Sequence, residues 1–370
     1  MDNKGIIELG LFEHLNIADT ERIHSQVIAW LLSQDSPLSP SKKSDFLVSF
    51  LGLENKAYQT IDTITEFQNI DILIRADDEL FVIENKLKSS QHSDQLSKYI
   101  NTLDKHVSDF WMLKKANPPR FYFLTLIGEE AGCDGWENTN YGKLLEAVQQ
   151  LGGIDTHPLI SAYAVSLKNL MTIVESFNRD PRQFHTVFTD GSLKKWEKAQ
   201  RIRDGKYTPA QAYIAKCQME TILQKMFMAR LAGQLELQSG DSVKINETWG
   251  VALLQVAFSS LVVEMSGNTF NLGVQLQDRS FKINLMAQEY ASSKTDWVRP
   301  TASNVFKNIA EELGLRFNPP RSNAYLSMSK RLPKSLWEYS FDDLVVCMKE
   351  ECVIAKAVCH DLKSRIEAIL

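Results

Sequence analysis

The sequence predicts an α/β protein, a mixed sheet flanked by helices, followed by a C-terminal α+β region. Three short runs rich in Ile, Val, Phe and Thr, over 60–67, 70–75 and 80–86, read as strands. A helical stripe then separates the last of them from a fourth apolar run over 121–127. A helix between two strands is what a right-handed crossover joining parallel neighbours requires. Beyond residue 240, alternating runs point instead to an antiparallel meander.

Taken in order, the first element is a helix over 20–32. Ile23, Val27, Trp30 and Leu31 recur at helical spacing behind Asp19 and Thr20, both good N-cap types. The three strands come next. From Ser93, a good capping residue, Leu96, Tyr99, Ile100 and Leu103 form one apolar stripe, and the strand over 121–127 lies beyond it. Further helices are expected over 141–151 and 158–177, closing a first domain near residue 185. A basic helical connector is expected over 186–240, and a C-terminal α+β domain over 241–370. In that last part the runs 261–265, 269–276 and 281–286 alternate, Gly267-Asn268 reads as a turn, and 341–370 reads as helix.

The chain has 370 residues, enough for two hydrophobic cores, and its 44% hydrophobic and 24% charged residues fit an ordinary globular protein. No apolar run is long enough to cross a bilayer, and Met1-Asp2-Asn3-Lys4 does not begin a signal peptide, so a cytoplasmic protein without membrane attachment is expected. Cys133, Cys217, Cys347, Cys352 and Cys359 include no Cys-x-x-Cys pair and read as reduced, mostly buried thiols. A formal charge of −5 argues against indiscriminate coating of nucleic acid. It leaves room for a site that itself needs carboxylates.

Asp77-Asp78 is a turn-forming pair between two apolar runs, so 69–86 reads as a hairpin. That register sets Ile74 against Phe81, Leu73 against Val82, Ile72 against Ile83, and Asp71 across from Glu84. Side chains alternate along a strand, so Lys86 shares the face of Glu84 and Asp71. Like charges facing each other in a ladder are unfavourable and call for a cation. Two carboxylates with water suit Mg²⁺, with Mn²⁺ expected to substitute, and the Lys86 ammonium is placed to orient water and offset charge on a phosphoryl group. By itself the pattern also fits a solvent-facing hairpin.

Asp71 followed by Glu84-Asn85-Lys86, between an upstream helix and a crossover helix, resembles the PD-(D/E)XK nuclease superfamily, which includes restriction endonucleases and many repair nucleases. The resemblance covers about the first half of the chain and implies a restriction-endonuclease-like fold. Glu21-Arg-Ile-His24-Ser25 looks like the first helix of one bacterial branch, in which Glu21 would reach the metal beside Asp71 and Glu84. Gln95-Leu-Ser-Lys-Tyr99 looks like a Gln-x-x-x-Tyr element, whose two side chains share a helix face. The stretch from Trp136 to Leu145, with Tyr141, fits the segment that usually succeeds the fourth strand in such proteins. Ile70 stands where the superfamily name has Pro.

The resemblance implies a Mg²⁺-dependent nuclease acting on DNA in restriction or phage defence, with homodimerisation expected by analogy. An RNA-cleaving enzyme and a catalytically silent nucleic-acid-binding scaffold are the alternatives. Lys194, Lys195, Lys198, Arg201 and Arg203, with Trp196 interleaved, form a candidate backbone-gripping surface or a solvated helix face. Arg316, Arg321, Lys330, Arg331 and Lys334 are a second, weaker cluster. His24 reads as structural or solvated, and Ser25 as packing.

Overall fold

The computed structural model describes residues 7, 9–54, 56–88, 95–106, 111–114, 116–152, 157–248, 250–265, 267–288, 300–322 and 325–370. The chain forms two compact units, residues 1–176 with 194–222 and residues 177–193 with 223–370. This differs from the expected boundaries at 185 and 240, because the segment 194–222 is tied back into the first unit. Tyr213 Oη bonds the buried Glu13 carboxylate, and Lys88 Nζ bonds the Cys217 carbonyl.

The first unit begins with α1 (Leu11–His14), α2 (Glu21–Leu32) and α3 (Pro40–Leu51). Next come β1 (Ile61–Phe67), β2 (Ile70–Ala76), β3 (Glu79–Lys86), α4 (Gln95–His106), β4 (Arg120–Thr125) and β5 (Trp136–Asn140). The strands form one sheet in the order β1-β2-β3-β4-β5, antiparallel through β3 and parallel from β3 to β5. The mixed sheet and its crossover through α4 are therefore as the sequence predicts. Ser93, expected to cap α4, lies outside the described residues.

Register follows from turn chemistry. Gln68 and Asn69 take positive φ of 51° and 68° between paired Phe67 and Ile70, the geometry of a two-residue hairpin turn. Asp77, at φ 52°, closes β2 onto β3, and the pairs Ile72–Ile83, Leu73–Val82 and Ile74–Phe81 are those read from the sequence. Period-two alternation then divides the sheet faces. Leu73, Val82, Phe121 and Phe123 pack with Leu96, Tyr99 and Leu103 of α4. On the opposite face α2 lies against the sheet, with Thr63 Oγ1 donating to the Ala29 carbonyl.

The unit continues through α5 (Tyr141–Gln150) and α6 (Pro158–Arg179). After α7 (His185–Thr189), which belongs to the second unit, α8 (Lys195–Arg203) and α9 (Pro209–Cys217) return to the first. The second unit resumes within α10 (Glu220–Ala232), with β6 (Ser242–Thr248), β7 (Val251–Met265), β8 (Asn268–Gln277) and β9 (Ser280–Ala287). It ends with α11 (Pro300–Glu312), β10 (Arg316–Ser322), β11 (Tyr325–Arg331) and α12 (Phe341–Glu367). Its six strands form an antiparallel sheet in the order β10-β11-β9-β8-β7-β6, the expected meander extended at both edges.

Among the described residues no helix is long and apolar enough to cross a membrane. All five cysteines are free thiols; Cys217 and Cys359 are buried and the other three are partly so.

Candidate active site

Asp71 sits where β2 leaves its ladder with β3. The last backbone pair is Ile72–Ile83, and beyond it Asp71 Oδ2 accepts the Asn85 amide at 2.7 Å. A side-chain carboxylate thus replaces a backbone carbonyl as partner for a strand N–H, which fixes the carboxyl over the end of β3. Glu84 reaches the same point from β3 and is 1% exposed. Its Oε1 accepts Gln95 Nε2 at 2.7 Å and pairs with Lys86 Nζ at 2.7 Å. Its Oε2 is buried with no hydrogen-bond partner.

The electrostatics match this crowding. Burial, and then the Glu84 charge, push the Asp71 carboxyl up from 3.8 to about 7, against the pull of the Asn85 amide and Lys86. Burial likewise raises Glu84, with Lys86 opposing. For Lys86 burial favours the neutral amine, but Glu84, Asp71 and Glu21 outweigh it and hold the ammonium above its ordinary value. The site therefore contains two converging acids, one fixed cation and a buried carboxylate oxygen with an open acceptor position. A hard divalent cation fits that donor set, since Mg²⁺ binds through one or two carboxylates and keeps much of its water.

Gln95 and Tyr99 lie on one face of α4, as their spacing requires. Gln95 Nε2 lies 2.6 Å from Tyr99 Oη, which donates to the Asn69 carbonyl at 2.6 Å. The pair links the crossover helix to Glu84 and to the β1–β2 turn. Burial raises the phenol well above its ordinary value, so Tyr99 stays protonated.

The family comparison agrees with the geometry: residues 9–179 match a family model of the PD-(D/E)XK nuclease superfamily. This part of the chain is similar to that superfamily. No curated protein and no solved structure gives a match. The matched span runs from just before α1 to the end of α6 and holds every residue of the site described above.

Glu21, expected among the metal ligands, has one carboxylate oxygen engaged by backbone. Its Oε1 accepts the Leu87 and Lys88 amides at 2.9 and 3.0 Å, so it clasps the chain where β3 ends. Among the described residues no group of three or more His, Cys, Asp or Glu side chains forms a metal cage. Asp71 and Glu84 converge at the strand end, and Glu21 lies beside them with its Oε1 on the backbone. His24 is structural. It is fully buried, Nε2 donates to the Ala18 carbonyl at 2.9 Å, and Nδ1 accepts Tyr163 Oη at 3.1 Å. Burial pushes its pKa down to about 4, so the neutral tautomer is fixed from both sides.

The residue that sequence reasoning passed over is Asn85. It points to the opposite face from Glu84 and Lys86, where its Nδ2 donates to the Glu21 carbonyl and Ser25 Oγ, and its Oδ1 accepts Tyr141 Oη. The signal was an amide on the apolar face of a strand, between Ile83 and Leu87, where an unsatisfied polar group would be costly. Ser25 therefore does more than pack, and Tyr141, noted only by resemblance, donates the bond that completes Asn85.

The basic segment is divided. Lys198 forms a nearly buried ion pair with Glu220 at 2.6 Å and is spent on structure. Lys194, Lys195, Arg201 and Arg203 are exposed, as is Trp196. In the weaker second cluster Lys330 pairs with Glu351, and the Arg321 side chain lies outside the described residues.

Proposed function

We propose that the protein is a Mg²⁺-dependent nuclease that hydrolyses DNA phosphodiester bonds, in restriction or phage defence, with Asp71 and Glu84 as metal ligands. The observation that carries the reading is the convergence of a buried acid, Glu84, and a partly buried one, Asp71, beside a fixed ammonium, with one Glu84 oxygen left without a partner. A divalent cation bound there would supply Lewis acidity to the phosphoryl oxygen and acidify an attacking water. The chain's own groups do the rest. The Asn85 amide holds the Asp71 carboxyl in place, and Gln95 and Lys86 occupy Oε1 of Glu84, which leaves Oε2 as the oxygen that would hold a metal. Lys86, kept charged by its acidic neighbours, orients water and offsets negative charge on the phosphoryl group in the transition state. Lys194, Lys195, Arg201 and Arg203 offer backbone contacts, with Trp196 available for stacking. Two copies cutting opposite strands of a duplex would match this chemistry.

The test is incubation of the wild type and Lys86→Ala with end-labelled duplex DNA, single-stranded DNA and RNA in Mg²⁺, Mn²⁺ or EDTA. Metal-dependent cleavage of DNA by the wild type alone is expected. Cleavage confined to RNA would reassign the substrate, and metal-independent cleavage or equal cutting by Lys86→Ala would overturn the site.

A further inference from the structure

Asn85 occupies a position that packing alone would fill with an apolar side chain. On the face of β3 turned away from α4 it follows Phe81 and Ile83 and precedes Leu87, and all four are at most 1% exposed. A primary amide buried in such a row is unfavourable unless every donor and acceptor is met. All of them are. Its Nδ2 donates to the Glu21 carbonyl at 2.9 Å and to Ser25 Oγ at 3.1 Å, and its Oδ1 accepts Tyr141 Oη at 2.9 Å. Ser25 Oγ donates in turn to the Glu21 carbonyl at 3.2 Å, and the Tyr141 and His24 rings meet in a T-shape with centroids 5.2 Å apart. The amide is pinned from α2 on one side and from the start of α5 on the other. A fully satisfied buried network specifies one geometry where an apolar contact tolerates several.

What that geometry holds lies along the same backbone. The Asn85 N–H is the donor that Asp71 Oδ2 accepts at 2.7 Å, and it belongs to the peptide unit that joins Asn85 to Glu84. A peptide unit is planar, so its direction depends only on the torsions at either end. With the Asn85 side chain fixed at three points, that unit cannot swing. The Asp71 carboxyl and the Glu84 backbone are thereby referred to one frame anchored in α2. The hold of Glu21 Oε1 on the Leu87 and Lys88 amides extends the same frame past the end of the strand. Without the side-chain bonds, the N–H that offsets part of the Asp71 charge is free to turn away, and one of two acids that repel each other loses its donor.

We infer that Asn85 is a positioning residue: its side chain, clamped by Glu21, Ser25 and Tyr141, aims its own backbone N–H at Asp71 and so holds Asp71 beside Glu84 for a divalent cation. Ser25 and Tyr141 serve the same task at one remove. None of the three side chains touches metal or substrate, and the effect passes through the backbone. The inference rests on the proposed metal-dependent reaction, but its measurement does not require cleavage.

The experiment has two arms, Mn²⁺ binding followed by electron paramagnetic resonance and amide hydrogen exchange in metal-free buffer. Both are run on the wild type, Asn85→Ala, Tyr141→Phe and a control, Thr139→Val, at a temperature where circular dichroism shows each to be folded. Thr139 Oγ1 donates to the Phe50 carbonyl at 3.3 Å, so the control loses a buried hydrogen bond of the same unit without touching Asn85. Asn85→Ala is expected to weaken Mn²⁺ binding at least about tenfold, the scale seen when a partner that orients a metal ligand is removed. Tyr141→Phe removes one bond of the three and stands in should Asn85→Ala fail to fold; about a threefold loss is expected, with Thr139→Val within about twofold of the wild type. Amides over 84–88 should exchange at least about tenfold faster in Asn85→Ala than in the control. Equal Mn²⁺ affinity in the wild type, Asn85→Ala and Tyr141→Phe would mean that the network only stabilises the fold and would overturn the inference, as would unchanged exchange over 84–88. A wild type that binds no Mn²⁺, with exchange over 84–88 responding as expected, would sink the metal-dependent reading and uphold the aiming of the Asn85 amide.

Discussion

Replacing Asp71 by Asn tests the electrostatic core of the site without removing side-chain volume. Asp71 is partly buried against Glu84, and its carboxyl is raised from 3.8 to about 7. A carboxyl raised by folding leaves the native state at full strength below its unfolded pKa and weakens it as pH climbs through the folded value. The wild type therefore bears a penalty at pH 8 that is absent near pH 4. At about 1.4 kcal/mol per pH unit the ceiling is about 4 kcal/mol, and sharing of the proton with Glu84 and partial solvent access bring it to about 2 kcal/mol. Asn keeps an oxygen for the Asn85 amide and carries no charge. In metal-free buffer at pH 8, Asp71→Asn is expected to melt about 4 to 8 °C above the wild type, at roughly 2–4 °C per kcal/mol for a unit of this size. The gain should vanish near pH 4.5. Added Mg²⁺ should raise the wild-type midpoint at pH 8 and leave that of the variant nearly unmoved. Differential scanning fluorimetry at the two pH values, with and without Mg²⁺, reads both effects. A variant that melts no higher than the wild type at pH 8 would refute the idea that two acids repel each other at this point.

Other expectations rest on single contacts. Asn85→Ala removes three side-chain hydrogen bonds on the α2 face and should cost about 2 to 4 kcal/mol by urea denaturation, while Tyr141→Phe should cost about 1 to 2 kcal/mol. Lys86→Ala should abolish cleavage yet bind DNA in EDTA within about twofold of the wild type, measured by anisotropy. His24, held down at about 4 from 6.5, favours the neutral form; its contribution is present above pH 6.5 and is lost as pH falls towards 4, by at most about 3 kcal/mol. His24→Gln should therefore flatten that acid limb in a stability profile. At Gly273 an added Cβ would lie 2.1 Å from the Val256 carbonyl oxygen, so Gly273→Ala should destabilise the second unit by about 2 to 4 kcal/mol, visible as an earlier unfolding transition.

The β2–β3 hairpin that carries Asp71 and Glu84 was legible because two local rules agree there. Alternation fixes which side chains share a face, and the Asp77-Asp78 turn fixes which residues are opposed. Gln95 and Tyr99 were legible through helix periodicity. Elements with weak patterns were not. β5 contains only Trp136 and Thr139 as buried positions, and parallel pairing with β4 makes it a strand. β10 carries Pro319 and Pro320, which an edge strand tolerates but which break a propensity reading. The return of 194–222 to the first unit depends on long-range contacts of Tyr213 and Lys88 that no window of sequence contains. That the amides of Leu87 and Lys88, distant in sequence, take Oε1 of Glu21 is likewise a long-range contact that local pattern does not contain. Asn85 was hidden by the motif itself, which marks the middle residue as free to vary.

The three consecutive residues Glu84, Asn85 and Lys86 also protect the strand against misalignment. Sliding β3 by one position would turn the acid and the ammonium into the apolar layer beneath α2 and strand the amide among carboxylates. Either displacement forfeits several kcal/mol of solvation, so the chemistry-bearing tripeptide doubles as a check that discards misthreaded chains before they mature.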